Sequence, residues 1–424
     1  MRFPMLRGLI GAALLATTVA MAAPLPEAKP EYAGISSERL MRLTRVMQAA
    51  VDKGEIPGAV VMLARQGRLV YNQSFGMQDK AKAIPMHDDA IFRAYSMTKP
   101  IVSVAAMMLV EDGRMTLHEP IAKYLPEFKD MKIGVEATDP ATGAVTFSTV
   151  PAKKPITVQD LLRHTSGIPY GVFTPIRFQV QKQYKDANLL DPVLSLDAFS
   201  KQVAQLPLCF EPGTSWEYGH SSDILGRLVE VVSGEPLDVF MRERIFKPLK
   251  MVDTDFHVPP AKHHRIAQNQ IDPALGKPAD LLDVTRPPAM FAGGHGLVTT
   301  AGDYLRFAQM MANGGELEGA RILGPKMVAY MASDHTGDKI SQGSSFYIPG
   351  PGYGFGLGFA VRTATGHSQW PGTIGEYNWG GYAGTAFWID PKEQLVPIFM
   401  MQAPEQRLQY RILFRDLVYQ SLIM

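Results

Sequence analysis

A serine and a lysine three residues apart are the sharpest chemical feature of the sequence. Ser96 and Lys99 lie in Ser-Met-Thr-Lys, the only Ser-x-x-Lys in the chain. Residues three apart share one face of a helix, so the Lys99 amine can reach the Ser96 hydroxyl and accept its proton. Pro100 costs least in the first turn of a helix, so we expect the helix to begin close to Ser96, where backbone N–H groups can stabilise an oxyanion. A four-residue motif with two unspecified positions also arises by chance, so other segments must support this interpretation.

Two further segments contain residues that could face a ligand. Tyr218 lies in Trp-Glu-Tyr-Gly-His-Ser-Ser, just before the helical pattern at 223–232, and a phenol at such a junction can point into a cleft. A half-buried aromatic is the commoner outcome of that pattern. The segment 378–385, Asn-Trp-Gly-Gly-Tyr-Ala-Gly-Thr, has glycines that open a strand pattern. The absent side chains would let a ligand approach the backbone, although alone this is only a Gly-rich bend.

Apolar periodicity predicts the elements that hold these segments. Ser36 is predicted to cap a first helix that ends near Gly54, and two strand-like runs then form a hairpin. The two runs are Ala59 to Ala64 and Leu69 to Phe75; further helix patterns occupy 96–112, 158–164, 221–233, 236–246, 301–313 and 405–422, and strand patterns occupy 354–361, 382–389 and 395–401. Two long stretches without clean periodicity, 129–156 and 168–211, are predicted to be insertions or lids.

This order of elements predicts an α+β fold. One antiparallel sheet would be built from both chain ends and flanked by helices, with a mostly helical lobe inserted between them and a cleft at the seam. The predicted domain is 35–424, with an α/β lobe at about 35–95 and 331–424 and a helical lobe at about 96–330.

The N-terminus has the pattern of a secretory signal peptide. Arg2 and Arg7 precede an apolar run from Gly8 to Met21, and Ala-Met-Ala at 20–22 fits a cleavage site of small residues. The run has 14 residues, whereas a membrane-spanning helix needs about 20 apolar ones. We therefore predict a signal peptide at 1–22, a Pro-rich linker at 23–34, and a secreted protein, periplasmic in a two-membrane bacterium, with no membrane span after processing.

Composition excludes several classes of protein. The 424 residues include 42 Lys+Arg against 41 Asp+Glu and are 46% hydrophobic, which fits neither a disordered chain nor a collagen nor a typical nucleic-acid binder. The lone Cys209 cannot form an intramolecular disulfide. The histidines lack metal-ligand spacing, so we predict no metal and no cofactor. Without a Gly-x-Ser-x-Gly, an α/β-hydrolase is disfavoured.

The three segments together resemble the serine β-lactamase superfamily with a class C-like fold, which includes the family VIII carboxylesterases and the low-molecular-weight D-alanyl-D-alanine carboxypeptidases. Two further stretches that look like family signatures are 161–167, Leu-Leu-Arg-His-Thr-Ser-Gly, and 291–300, Phe-Ala-Gly-Gly-His-Gly-Leu-Val-Thr-Thr. The resemblance implies that Ser96 is the acylated nucleophile, Lys99 its activating partner and Tyr218 the second proton-transfer residue. It also implies an oxyanion hole formed by the amides of Ser96 and Tyr382.

Two departures from the family pattern bear on the substrate. His220 stands where the family's Tyr-x-Asn has asparagine, and Trp379-Gly380-Gly381 stands where the family has Lys/His-Thr-Gly. In β-lactamases and penicillin-binding enzymes the Lys-Thr holds a substrate carboxylate, and a neutral indole cannot form that ion pair. A Trp at this place is familiar from the esterase branch. His220 and the segment 379–381 are therefore predicted to bind substrate, and a neutral ester is favoured.

The sequence thus predicts a serine hydrolase that forms an acyl-enzyme on Ser96. A carboxylesterase for short-chain acyl esters is the first hypothesis, and a β-lactamase or D-alanyl-D-alanine carboxypeptidase is the second. A catalytically silent binding module on the same fold is the third, although Ser96, Lys99 and Tyr218 are all present. The predicted partner is a small-molecule ester or amide, and no nucleic-acid partner is predicted.

Overall fold

The structure is a computed structural model that describes residues 24–172, 179–270, 276–337 and 347–423. The predicted signal peptide, 1–22, lies outside these ranges. Within them, no helix is long and apolar enough to cross a membrane.

The described strands and helices mostly follow one another in runs of one kind along the chain. The strands are β1 Gly58–Arg65, β2 Arg68–Asp79, β3 Ile84–Pro85, β4 Phe92–Arg93, β5 Lys132–Thr138, β6 Val145–Pro151, β7 Val298–Thr299, β8 Glu316–Leu317, β9 Ala320–Arg321, β10 Tyr353–Phe355, β11 Ala360–Arg362, β12 Tyr377–Gly380, β13 Ala386–Ile389 and β14 Leu395–Met401. The helices are α1 Ser37–Asp52, α2 Thr98–Glu111, α3 Val158–Leu162, α4 Gln179–Asp186, α5 Leu196–Val203, α6 Ser221–Ser233, α7 Leu237–Met241, α8 Ala301–Ala312, α9 Pro325–Met331 and α10 Arg407–Tyr419.

An eight-stranded antiparallel sheet forms the centre of the fold, in the order β10-β11-β12-β13-β14-β1-β2-β3. The first strands of the chain therefore pair with the last ones. β1 pairs with β14 along its length, with Ala59 opposite Met401 and Arg65 opposite Leu395. The prediction of one α+β fold with a sheet from both chain ends is confirmed.

Helices cover both faces of this sheet. Every residue of β1 is buried, and successive side chains point to opposite faces. Val61 and Leu63 pack with α1 and α10, whereas Val60 and Met62 belong to the core on the other face, which α8 covers. The Ser36 side chain accepts a hydrogen bond from the Arg39 backbone and caps α1, as the sequence predicts.

Helix α2 begins just after Ser96 and runs through the core. It is buried from Thr98 to Leu109 and packs against α6. Burial on all sides explains why its sequence is almost uniformly apolar and not amphipathic. The helix places the Ser-x-x-Lys motif between the sheet and the helices that follow it.

The C-terminal strands differ from the predicted ones. The predicted strand 354–361 is two strands, β10 and β11, because the chain reverses direction between them. Gly358 has φ +100°, and a Cβ there would lie 2.4 Å from Ser103 Oγ on α2, so only glycine fits this turn. Strand β12 was not predicted, and β13 begins at Ala386, four residues later than the predicted 382.

Three other stretches contain structure that the sequence did not predict. Residues 129–156 form the β5–β6 hairpin, and 168–211 contain α4 and α5. In the predicted linker, a single 3-10 turn spans Pro30–Ala33, and Leu25 is 3% exposed. Leu25 belongs to the same hydrophobic cluster as Leu69, so this segment packs on the domain and does not extend from it.

Candidate active site

Ser96 is presented to a cavity by a strained turn. It lies in a 3-10 turn, Tyr95–Met97, that leads directly into α2. Tyr95 has φ +47°, a left-handed conformation that is rare for a bulky residue and marks a position held by its surroundings. Ser96 is partly exposed, whereas the neighbouring residues on both sides are buried. The hydroxyl is thus the accessible group of an otherwise buried segment.

The Lys99 amino group lies beside this hydroxyl and is held by two other groups. Its Nζ is 3.4 Å from Ser96 Oγ, and it donates to Tyr170 Oη at 3.0 Å and to the Gly294 carbonyl at 2.7 Å. Lys99 is 1% exposed. Burial raises the pKa of Tyr170 well above its usual value, so this phenol stays neutral. The contact between Ser96 and Lys99 predicted from their spacing is present.

Tyr218 also lies beside Lys99. The Lys99 Nζ is 4.6 Å from the centre of its ring, and the Trp379 indole N–H donates to Tyr218 Oη at 3.2 Å. Both residues are buried: Tyr218 is 7% exposed and Trp379 is 6% exposed. The Trp216 ring stacks on Tyr218, with ring centres 6.0 Å apart. The phenol therefore has a fixed position, with the Lys99 amino group and the indole N–H beside it.

Glycine at the end of β12 lets the following turn approach the segment before Ser96 closely. A Cβ on Gly381 would lie 2.2 Å from the Ala94 carbonyl oxygen, so this contact requires glycine. Thr385 Oγ1 donates to the same carbonyl at 3.1 Å, and the Tyr382 ring meets the Tyr95 ring edge-on at 5.5 Å. The backbone at Tyr382 is thereby held next to the turn that carries Ser96.

A buried carboxylate helps to position Lys99 through Gly294. Asp223 is completely buried and accepts hydrogen bonds from His220 Nδ1 at 3.0 Å and from the Gly294 amide at 2.8 Å. Burial by itself would raise the pKa of Asp223, but His220, His295 and Lys99 outweigh burial and lower the pKa to about 2. Asp223 is therefore ionised at neutral pH. Its hydrogen bond from the Gly294 amide fixes Gly294, whose carbonyl accepts a hydrogen bond from Lys99 Nζ.

His220 is buried away from the described part of the cavity wall. The sequence predicts that it binds substrate, and in the structure it is 2% exposed. Its ring turns toward Asp223, three residues along α6, and packs edge-on against Tyr170 at 4.5 Å. A residue at the start of a helix lies on the same face as the residue three positions later, which explains this orientation.

The cavity encloses about 410 Å³ between the end of β12, the Ser96 turn and α10. Of the sequence-predicted site residues, those on its wall are Ser96, Tyr218, Trp379, Gly380, Gly381 and Tyr382. Lys99 is not on this wall but contacts Ser96.

Other residues of the wall were not identified as site residues from the sequence. They include His295 and two arginines of α10, Arg407 and Arg411. Burial and the nearby Lys99 lower the pKa of His295 to about 4 despite the opposing effect of Asp223, so it is neutral at pH 7. The only signal for the arginines is their spacing of four on a helical pattern. That spacing says nothing about what the helix packs against.

Comparison with known proteins places these observations in a family. Residues 43–420 match the family described as Beta-lactamase. The chain is 34% identical to Protein Rv1367c of Mycobacterium tuberculosis over 363 residues, which are 83% of this chain and 87% of that protein. It is 31% identical to the lovastatin esterase of Penicillium rubens over 381 residues, 84% and 91% of the two chains.

A solved structure shows the same fold. EstCE1, described as a hydrolase with promiscuous acyltransferase activity, superposes with a TM-score of 0.75 at 26% identity. The match covers 90% of this chain and 99% of that chain.

Proposed function

The chain belongs to the β-lactamase family of serine hydrolases, and we propose that it is a carboxylesterase that cleaves short-chain acyl esters through an acyl-enzyme on Ser96. The observation that carries the proposal is the indole of Trp379. It occupies the place where the β-lactam-cleaving relatives are expected to have a lysine, and its N–H donates to Tyr218 Oη. The lovastatin esterase among the relatives supports the same class of reaction.

In the proposed acylation step, Ser96 Oγ attacks the carbonyl carbon of the ester and the bond to the alcohol oxygen breaks. The serine proton passes to the Lys99–Tyr218 pair and from there to the departing alkoxide. Lys99 Nζ at 3.4 Å from Ser96 Oγ, and close to the Tyr218 ring, is suitably placed for this transfer. The amides of Ser96 and Tyr382 would stabilise the oxyanion.

In the proposed deacylation step, a water molecule attacks the acyl carbon. The bond between that carbon and Ser96 Oγ breaks, one water proton passes through the same pair to Ser96, and the carboxylic acid leaves. The sum is ester plus water to acid plus alcohol. Both proton-transfer groups are therefore used twice, in opposite directions.

Intact-mass analysis tests the proposal. Incubation with a short acyl ester should add the acyl mass, and a serine-reactive phosphonate should label Ser96, whereas Ser96→Ala should show neither adduct nor turnover. We expect kcat/KM for short-chain esters to exceed that for penicillins by at least about tenfold, a difference of only 1.4 kcal/mol in transition-state binding. Equal or better turnover of a β-lactam or a D-alanyl-D-alanine peptide would favour the second hypothesis, and labelling at another residue would refute the assignment of Ser96.

We further propose that the protein is secreted after cleavage of residues 1–22. The charged start, the short apolar run and the Ala-Met-Ala site support this proposal. N-terminal sequencing of protein from a secreting host should find Ala23 or Pro24 first. An intact Met1 on a membrane-bound product would identify the segment as an anchor.

A further inference from the structure

One histidine reaches the cavity from a turn that otherwise consists of glycine. His295 is the only residue of 293–296 that has a side chain, because the other three are glycines. A Cβ on Gly294 would lie 2.8 Å from Asp223 Oδ2, so the backbone of this turn lies directly against that carboxylate. The His295 side chain lines the cavity together with Ser96. The turn therefore presents one functional group to the cavity.

The same turn is fixed to the segment that carries the nucleophile. The Leu297 carbonyl accepts a hydrogen bond from the Ala94 amide at 2.8 Å, and the Leu297 amide donates to Thr98 Oγ1 at 3.1 Å. Ala94 and Thr98 lie on either side of Ser96 in the chain. Because His295 comes shortly before Leu297, its position is tied to that of Ser96.

The orientation of the imidazole gives its two nitrogens different surroundings. Nδ1 of His295 is buried and lies 3.8 Å from Asp223 Oδ1, which is longer than a hydrogen bond, and it has no hydrogen-bond partner among the described residues. An ionised carboxylate on this side favours the tautomer with the proton on Nδ1, which leaves the lone pair on Nε2. Since Nδ1 is the buried nitrogen, the ring edge that reaches the cavity carries Nε2. His295 thus offers the cavity an uncharged hydrogen-bond acceptor.

The surroundings also make this acceptor a weak base. Burial lowers the pKa of His295 to about 4; Asp223 opposes this shift, and Lys99 and His220 add to it. At neutral pH the ring can therefore accept a hydrogen bond from water without removing the proton. It can orient a water molecule and leave the proton transfer to the Lys99–Tyr218 pair.

Resting on the proposed esterase function, we propose that His295 Nε2 binds and orients the water molecule that attacks the acyl-enzyme. One proton of this water passes through the Lys99–Tyr218 pair to Ser96 Oγ as the bond between Oγ and the acyl carbon breaks. The other proton is hydrogen-bonded to Nε2 during the attack and stays on the carboxylic acid that leaves.

This role distinguishes water from an alcohol as the attacking molecule. An alcohol has a single hydroxyl proton, and the Lys99–Tyr218 pair takes it, so none is left for His295 Nε2. Attack by an alcohol therefore receives no help from His295. The residue should favour hydrolysis of the acyl-enzyme over transfer of the acyl group to an alcohol.

The fate of an acetyl-enzyme tests the proposal. The wild type and His295→Asn are acetylated with 4-nitrophenyl acetate, and decay of the acetyl-enzyme is followed by intact mass in buffer with and without methanol. Asparagine retains an amide near the position of Nδ1 but has no acceptor at that of Nε2. We expect the hydrolysis rate to fall about tenfold, near the upper range for one hydrogen bond. The kcat/KM for release of 4-nitrophenol, which reports acylation, should change less than about twofold.

Methanol gives a readout that a purely structural role would not change. The rate of methanol attack should be the same in the wild type and in His295→Asn, so the ratio of methyl acetate to acetate should rise about tenfold in the variant. His295→Gln can place its amide oxygen near the position of Nε2 and should restore part of the hydrolysis rate. His118→Asn, which changes an exposed histidine outside the described cavity wall, should leave both rates unchanged.

The outcomes separate the two proposals, once thermal melting shows that the variants are folded. If His295→Asn hydrolyses the acetyl-enzyme as fast as the wild type, the role of His295 is refuted and the esterase function stands. Equal slowing of attack by water and by methanol would show that His295 acts on the proton-transfer pair or on the fold, and would refute the water site. A His295→Gln variant as slow as His295→Asn would overturn the assignment to Nε2. If the wild type forms no acetyl adduct on Ser96, the proposed esterase function fails and the water site fails with it.

Discussion

Replacement of Trp379 by phenylalanine tests the hydrogen bond that distinguishes this site. Trp379→Phe keeps an aromatic ring against Tyr218 and Phe355, whose ring centres each lie 5.3 Å from that of Trp379, and removes the N–H that donates to Tyr218 Oη. If Tyr218 carries a proton in the proposed mechanism, its oxygen bears negative charge during part of the cycle. The variant should then lose transition-state stabilisation.

The size of the loss follows from the geometry. A hydrogen bond to a charged acceptor is worth about 1.5–3 kcal/mol, which corresponds to roughly 10- to 150-fold in rate. The distance of 3.2 Å lies at the long end for an N–H···O bond, so we expect the lower part of this range. We therefore predict that kcat/KM falls about 10- to 40-fold.

Trp216→Phe is a matched control. Trp216 stacks on the same tyrosine and is fully buried, and among the residues that the structure describes its indole N–H has no hydrogen-bond partner. This variant loses similar packing but no donor, so its kcat/KM should stay within a few-fold of the wild type, once thermal melting confirms that both variants are folded. An equal loss in both variants, or a loss below about threefold in Trp379→Phe, would refute the role of the indole N–H.

Three further predictions concern the rest of the site. Lys99→Ala and Tyr218→Phe should each lower kcat at least about 10²-fold, and the double variant should lose far less than the product of the two losses, because residues that act as a unit are not additive. If the loss of kcat in the double variant equals the product of the two single losses, the two residues act independently. Gly381→Ala should lower kcat and Tm together, because the new Cβ would meet the Ala94 carbonyl at 2.2 Å and displace Tyr382; an unchanged kcat would contradict this. Because the folded-state pKa of His295 is about 4 against an ordinary 6.5, the unfolded state binds more protons between these values, and stability rises with pH there. Urea unfolding across this interval should show a shallower rise for His295→Asn than for the wild type, and identical slopes would refute the contribution of His295.

Local spacing was sufficient for the parts of the site that one element contains. Ser96 and Lys99 meet because three residues along a helical turn bring two side chains to one face, whatever the helix packs against. The same holds for the central strands, whose continuous apolar residues in β1 and β14 require a buried sheet. These features could be predicted from the sequence because the backbone geometry that causes them involves only near neighbours.

Turns and strand ends were harder to predict. The separation of β10 from β11 depends on Gly358 lying against Ser103 of α2, a contact between residues far apart in the chain. The pattern of alternating residues at 354–361 fits one strand equally well, because side-chain alternation does not report where a chain reverses direction.

The remaining residues of the cavity wall were decided by tertiary structure alone. His220 pairs with Asp223 and lies away from the cavity. Arg407 and Arg411 line the cavity, although their helix is at the far end of the chain. By itself, the sequence determined the contact between Ser96 and Lys99 and the burial of the central strands, because each depends on spacing within one element. Which charges face the substrate depends on how separate elements pack, and here α10 places two cations beside Trp379, the residue whose neutrality had favoured a neutral ester.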